Sequence, residues 1–335
     1  MSKTIRVAVY ERHGNPTEVL RVVEQAWPQP APDQAVVEME AAPLNPADFN
    51  AIEGKYPVRP ELPATPGMEG AGVVVELGRA VQGVAVGDRV ILPHNFGTWR
   101  EACAVAADRL LVVPPEIDPM QAAMLKVNPL TAWRMLHDFV QLQRGDWFIQ
   151  NAANSAAGQA AIQIARELGY KSVNIVRRPE VEEDLRELGA DLVVLEGDNL
   201  REEVAEKTGG APIRLALNAV GGEAAMRMVR TLASDATIVT YGAMSLQPLT
   251  IPNGMLIFKN LHFTGFWVNK WYEHASPAER VQAFAPLFTM AKSGRLRTKV
   301  EAVYSLGEAD AAVRHALQNK RSGKIVFRPP ACCAG

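Results

Sequence analysis

The stretch Asp146–Gly169, "DWFIQNAANSAAGQAAIQIARELG", reads as a strand, a turn of small polar residues and an amphipathic helix. Trp147 to Gln150 supply the strand, and Asn and Ser in the turn are good helix caps. The pattern then repeats at short intervals. "KSVNIVR", "ADLVVLE", "IRLALNAVG" and "ATIVTYG" are near-continuous apolar strands, and "EVEEDLRELG", "NLREEVAEKTG" and "EAAMRMVRTLAS" are the helices between them. Strands buried on both faces and joined by amphipathic helices predict a parallel, doubly wound α/β sheet.

Outward from this core the texture changes on both sides. Toward the N-terminus, "TIRVAVYE", "QAVVEMEAA", "GAGVVVELG" and "DRVILP" are short and β-branched, and "VGDRV" reads as a tight turn. They predict a compact β-rich domain. "PMQAAMLKVNPLTAWRMLHDFVQ" is helical, reopened at Pro129. After "NLHFTGFW" the alternation stops. The helix "SPAERVQAFAPLFTMAKSG" follows, and "VEAVYSL" to "KIVFRP" predicts a C-terminus that folds back onto the first domain. The expected divisions are residues 1–122, 123–265 and 266–335.

The 335 residues, 48% hydrophobic and 21% charged with a net charge of −2, fit two soluble domains and give no electrostatic case for nucleic acid or an anionic membrane. No apolar run is long enough to span a bilayer. The start "MSKTIRVAVY" lacks the features of a signal or transit peptide, so a cytoplasmic protein is expected. Cys103, Cys332 and Cys333 make neither a disulfide framework nor a zinc site, and the "PPACCAG" tail reads as frayed.

Two features carry chemistry. In the strand-to-helix turn only Gly158 remains of the glycines that let backbone approach a pyrophosphate, with Ala156 and Ala157 beside it. About 20 residues on, where an NAD site places an acid for the ribose 2′-OH, stand Arg177 and Arg178. Two guanidiniums suit a 2′-phosphate, which points to NADPH. The second feature is "EGKYPVRPELPATPGMEGAG", Glu53–Gly72, in which Pro57, Pro60, Pro63 and Pro66 stiffen the loop that presents Tyr56. A rigid loop with one phenol is either a packed turn or a fixed proton donor.

"LNPADFNAIEGKYP", "VNPLTAWRML", "GDWFIQNAANSAAGQA", "LALNAVGG", "VTYGAM" and "IFKNLHFTGFWVNKW" resemble the zinc-less branch of the medium-chain dehydrogenase/reductases. Within it the trans-2-enoyl-thioester reductases, best known from mitochondrial fatty acid synthesis, are most similar. The resemblance implies a GroES-like β-rich catalytic domain, a Rossmann cofactor domain and a homodimer formed through the cofactor domains. It implies Tyr56 as proton donor. It also implies NADPH contacts at Asn128, Asn154, Ser155, Ala156, Ala157, Arg177 and Arg178, then at Tyr241, Gly242, Ala243 and Met244, and at Phe266, Trp267, Val268, Asn269 and Lys324. Relatives often carry Gly-Val-Gly where this chain has Ala156-Ala157-Gly158. Zinc members would be expected to carry Cys and His where this chain has Asn45 and Met68, so no metal is expected.

The implied reaction is reduction of an enoyl thioester, carried on CoA or acyl carrier protein. A phenol stays protonated at neutral pH and can donate to the α-carbon. A quinone oxidoreductase of the same branch, and a non-catalytic NADPH-binding protein, are the alternatives. Arg177→Ala is expected to raise the KM for NADPH more than it lowers kcat, because a phosphate contact is largely uniform binding. Steady-state kinetics with NADPH and NADH measure this, and equal use of NADH by the unchanged protein contradicts it.

Overall fold

The computed structural model describes residues 3–318 and 321–329; the Cys332–Cys333 tail lies outside them. The chain divides into two compact units, one made of the residues up to Val127 together with those from Ala275, the other Asn128–His274. The first boundary falls five residues beyond the expected one, for a local reason. Helix Pro119–Met124 is capped by Asp118, which accepts from Met120 N and Gln121 N at 3.0 and 3.1 Å. It packs against the strands of the first unit. The second boundary follows helix Val268–His274, which belongs with the sheet.

The second unit is a six-stranded, all-parallel sheet. Its spatial order is Leu192–Leu195, Lys171–Val176, Trp147–Gln150, Ile213–Asn218, Thr237–Thr240, His262–Gly265. Numbered along the chain this is 3-2-1-4-5-6, the doubly wound order. Phe148, Ile149, Val173, Leu217 and Ile238 are buried, as strands covered on both faces require. The helix expected after the first strand runs Ala156–Leu168 and ends on Gly169 at φ 73°, a left-handed cap that glycine adopts without a Cβ penalty. One expectation is adjusted. "EVEEDLRELG" begins as a 3₁₀ turn, Pro179–Val181, and becomes α-helix only at Glu182.

The first unit is built on Gln34–Pro43, a long strand antiparallel to Ala71–Leu77 and to Ala102–Ala106. The turn at "VGDRV" is present: Gly87 has φ 94°, and its N–H donates to Val74 O at 2.8 Å. The C-terminus returns here, as expected. Lys324–Phe327 pairs antiparallel with Ala42 and Pro43 and parallel with Val300–Tyr304. Trp99 packs edge-on against Phe327, ring centroids 5.2 Å apart, so the returning strand completes this unit's core.

Gly72 lets Ala71–Leu77 approach Gln34–Pro43, since a Cβ there would lie 2.2 Å from the Glu38 carbonyl oxygen. Overpacking at such a contact costs roughly 1–3 kcal/mol. Gly72→Ala is therefore expected to lower the urea midpoint by a corresponding amount without changing the m-value, and an unchanged midpoint contradicts this packing.

Candidate active site

In the second unit the expected cofactor residues other than Asn128 follow the carboxyl ends of the strands, where open parallel sheets bind ligands. The turn after Trp147–Gln150 contains Ala152 at φ 48°, so its left-handed residue is an alanine rather than a glycine. Ser155 caps the helix. Its Oγ accepts from Gly158 N at 3.1 Å and its carbonyl from Gln159 N at 2.8 Å. The amides of Ala156 and Ala157 have no acceptor within the helix, which leaves an anion-receptive N-terminus. A Cβ on Gly158 would lie 2.5 Å from Ala153 O, so the single surviving glycine is required for the turn to pack on the helix.

Arg177 and Arg178 follow directly after strand Lys171–Val176, with Arg177 exposed. Tyr241–Met244 follows Thr237–Thr240 and is fastened to the neighbouring turn: Tyr241 N donates to Asn218 O at 2.9 Å and Met244 N to Ala219 O at 3.0 Å. The Tyr241 hydroxyl is buried and makes no hydrogen bond of normal geometry among the described residues, with the Ser155 side chain near enough to act on it. Burial pushes this phenol up to about 12, with Ser155 opposing, so it stays a proton-bearing donor. Phe266 and Trp267 follow the last strand half-buried, and Val268 and Asn269, both buried, open helix Val268–His274. Phe266 meets Phe139 edge-on at 6.1 Å. Asn128 opens helix Asn128–His137, and Asn154 O accepts from the Gln159 side chain at 3.0 Å.

Sequence reasoning missed the scaffold beneath these turns. Asn218 Oδ1 accepts from Asn151 Nδ2 at 2.8 Å and from the amides of Val220 and Gly221 at 3.1 Å each. Its Nδ2 donates to Thr240 Oγ1 at 3.1 Å, so one buried amide joins three strand ends. The available signal was the polar residue ending an otherwise apolar strand, "LALN".

In the first unit Tyr56 is half-buried in a loop fastened at both ends. At one end the amides of Lys55 and Tyr56 donate to Asn50 O at 2.8 and 3.0 Å, where helix Pro46–Ile52 ends. At the other, Ala64 exchanges both backbone hydrogen bonds with Tyr10 at 2.9 and 3.0 Å. Lys324, expected as an NADPH contact, has its ammonium engaged in the interior of the first unit. It donates to Asn45 Oδ1 and, at 3.3 Å, to Leu44 O. Asn45 Nδ2 donates to Glu69 Oε1 at 2.9 Å, and Glu69 Oε2 accepts from Val127 N at 2.8 Å. Burial lowers Lys324 from the usual lysine range, opposed by Glu69 and Asp48, and the same burial raises Glu69.

The comparisons with known proteins fit this geometry. A model described as the alcohol dehydrogenase GroES-like domain matches residues 31–115, and one described as zinc-binding dehydrogenase matches residues 156–285. The chain is 43% identical over 304 residues to the Xenopus tropicalis protein named mitochondrial enoyl-[acyl-carrier-protein] reductase, covering 88% of this chain and 87% of that one. It belongs to the medium-chain dehydrogenase/reductases. Among solved members of this superfamily, the complex of Etr1p with NADP and crotonyl-CoA superposes at a TM-score of 0.88, with 31% identity over 97% of this chain and all of that one. The Etr1p/Etr2p heterodimer from Candida tropicalis, termed a mitochondrial 2-enoyl thioester reductase, does so at 0.87 with the same identity and coverage. A Bacillus thuringiensis protein described as an NADPH:quinone reductase reaches 0.90 at 29% identity, over 98% of this chain and all of that one.

The zinc in that family description does not fit this reductase. Asn45 and Met68 occupy the positions of the expected ligands, Asn45 is committed to Glu69 and Lys324, and a buried ammonium stands where a dication would be repelled. Among the described residues no three His, Cys, Asp or Glu side chains converge as a metal site. Cys103 is buried in the first unit's core, and burial pushes its thiol up to about 12. NADPH does fit: a buried hydroxyl without a bond of normal geometry, helix amides without an acceptor in the helix and a glycine cradle all stand at the strand ends.

Lys324→Met is expected to cost about 1–3 kcal/mol in denaturant unfolding, since it leaves the buried Asn45 Oδ1 without its donor and removes one of the two cations near Glu69. The Kd for NADPH of the folded variant should stay within error. Unchanged stability with weakened NADPH binding would return Lys324 to the cofactor set.

Proposed function

We propose that this chain catalyses NADPH-dependent reduction of the C2=C3 double bond of trans-2-enoyl thioesters, with Tyr56 as the proton donor. The observation that carries the reading is the phenol held on a loop fastened at both ends, in a chain 43% identical to an enoyl reductase. When bound, NADPH supplies a hydride to the β-carbon. Arg177 and Arg178 hold its 2′-phosphate, and the amides of Ala156 and Ala157 meet the pyrophosphate at the helix N-terminus. The Tyr241 hydroxyl donates to a phosphate or ribose oxygen. Phe266 and Trp267 line the nicotinamide and acyl pocket, and Asn128 orients the cofactor or the substrate carbonyl.

As hydride reaches Cβ, the electron pair of the double bond moves toward the thioester carbonyl. Tyr56 then delivers its proton to Cα, and solvent restores the phenol. A stiff loop contributes by limiting how far the donor strays from the reacting carbon. The acyl handle is CoA or acyl carrier protein, the two named for the relatives. Those relatives are named as mitochondrial, and the cytoplasmic expectation gains no support from them. Among the described residues no helix is long and apolar enough to cross a membrane.

We further infer a homodimer through the cofactor unit. His262–Gly265 ends the sheet with a bonded neighbour on one side, and nearby in sequence Leu246 and Phe258 are 87% and 83% exposed. An open strand edge with exposed apolar side chains favours pairing with a second copy. Sedimentation velocity is expected to give twice the 36.5 kDa chain mass, and Phe258→Glu to shift the protein toward monomer; a monomeric parent protein contradicts it.

General acid catalysis contributes about 10²- to 10⁴-fold, so Tyr56→Phe should lower kcat on crotonyl-CoA by roughly that range. Cofactor affinity, read by fluorescence titration, should barely move. Full kcat in the variant, with chemistry shown to be rate-limiting, leaves Tyr56 a packed turn residue. A naphthoquinone assayed in parallel separates the quinone reductase reading, which predicts the larger kcat/KM on the quinone.

A further inference from the structure

Asp48 is fully enclosed in the first unit, yet no step of the reaction above uses it. Its two carboxylate oxygens take different partners. Oδ2 accepts from Asn45 N at 2.7 Å, closing the first turn of helix Pro46–Ile52. Oδ1 accepts from Met68 N at 2.9 Å, in the turn that ends the proline loop. The same helix, less than one turn later, supplies the Asn50 carbonyl that takes the amides of Lys55 and Tyr56. One carboxylate therefore grips the chain before the loop and after it.

We propose that Asp48 is the positioning residue for Tyr56, fixing both feet of the loop that carries the phenol. The proposal rests on the proton-donor reading. Neighbouring charges do not duplicate this grip. Glu69 is spent on the Asn45 side chain and Val127 N, and Lys324 on Asn45 and Leu44. The remaining fastenings do not depend on Asp48. Tyr10 pairs with Ala64, and the His13 ring lies against Gly54 while facing Ile52 O at 3.2 Å. Loss of the carboxylate grip should thus loosen the loop without unfolding the unit. A catalytic group displaced by about 1 Å can lose on the order of 10²-fold in rate. Burial raises the Asp48 carboxyl to about 7, which agrees with an enclosed group retained despite its desolvation cost.

The test is a pair of double-mutant cycles with Tyr56→Phe, measured as kcat on crotonyl-CoA and Kd for NADPH. Asp48→Asn keeps the shape but turns an NH₂ toward one of the two backbone N–H groups. Asp48→Glu keeps the charge and the residue type most common at this position of a capping box, while carrying the carboxylate past Met68 N. In the Tyr56 background each should lower kcat by roughly tenfold to a hundredfold and leave Kd unchanged. In the Tyr56→Phe background each should change kcat by less than about twofold, because the group being positioned is gone. If Asp48→Asn fails to fold, Asp48→Glu carries the cycle. Losses that multiply fully in the Tyr56→Phe background, or no loss in either background, overturn the proposal. If Tyr56→Phe alone keeps full kcat, the proton-donor reading fails first and this inference falls with it.

Discussion

The first unit is organised around an ammonium with nowhere else to go. Lys324 sits in the last strand among the described residues and Asn45 lies 279 positions earlier, yet the two are hydrogen-bonded in the interior. Buried ionised groups persist only when paired and fully hydrogen-bonded. Here Asn45 bridges the two charged groups, accepting from Lys324 with its oxygen and donating to Glu69 with its Nδ2, and Glu69 in turn accepts from Val127 N at the end of the unit. A second buried lysine, Lys126, donates to Leu92 O, and its enclosure holds it well below the usual lysine range. The returning strand, the Gly67–Gly70 turn and the start of helix Pro46–Ile52 are thereby tied to one another.

This arrangement fills, with Asn45 and a buried lysine, the place where the family description would put a zinc site. The positive charge at that place in the fold is a protein ammonium, held by an amide and a carbonyl rather than by thiolates and imidazoles. A fixed ammonium cannot take an open coordination position or polarise a substrate oxygen as a Lewis acid does. In the proposed reaction the proton comes from a side chain instead. The chain offers Tyr56, whose loop begins and ends on segments that the buried cluster organises.

The sequence made the second unit legible because a parallel sheet buried on both faces leaves runs of apolar residues, and the helix after its first strand carries both caps with it. Ser155 and Gly169 both stand where those rules put them. Arg177 and Arg178 were legible by spacing, since the second strand of this topology ends a fixed distance after the first turn. The interior bonds of Lys324 were not, because its partners are remote in sequence. Asp48 was hidden for a different reason. It stands in a helix-start motif, and only the fold shows that its second oxygen closes the loop. Asn218 was visible as a polar end to an apolar strand, but its role as a junction needs the neighbouring strands in place.

The central claim is a division of labour in which hydride comes from the cofactor and the proton from the protein. It is tested most directly by locating the two hydrogens in the product. With NADPH dideuterated at C4 and crotonyl-CoA in ordinary water, NMR of the product is expected to show one deuterium at C3 and none at C2. Run with unlabelled NADPH in D₂O, the reaction should place the deuterium at C2 instead. Deuterium from the cofactor at C2, or cofactor oxidation that leaves the thioester unreduced, would contradict the account.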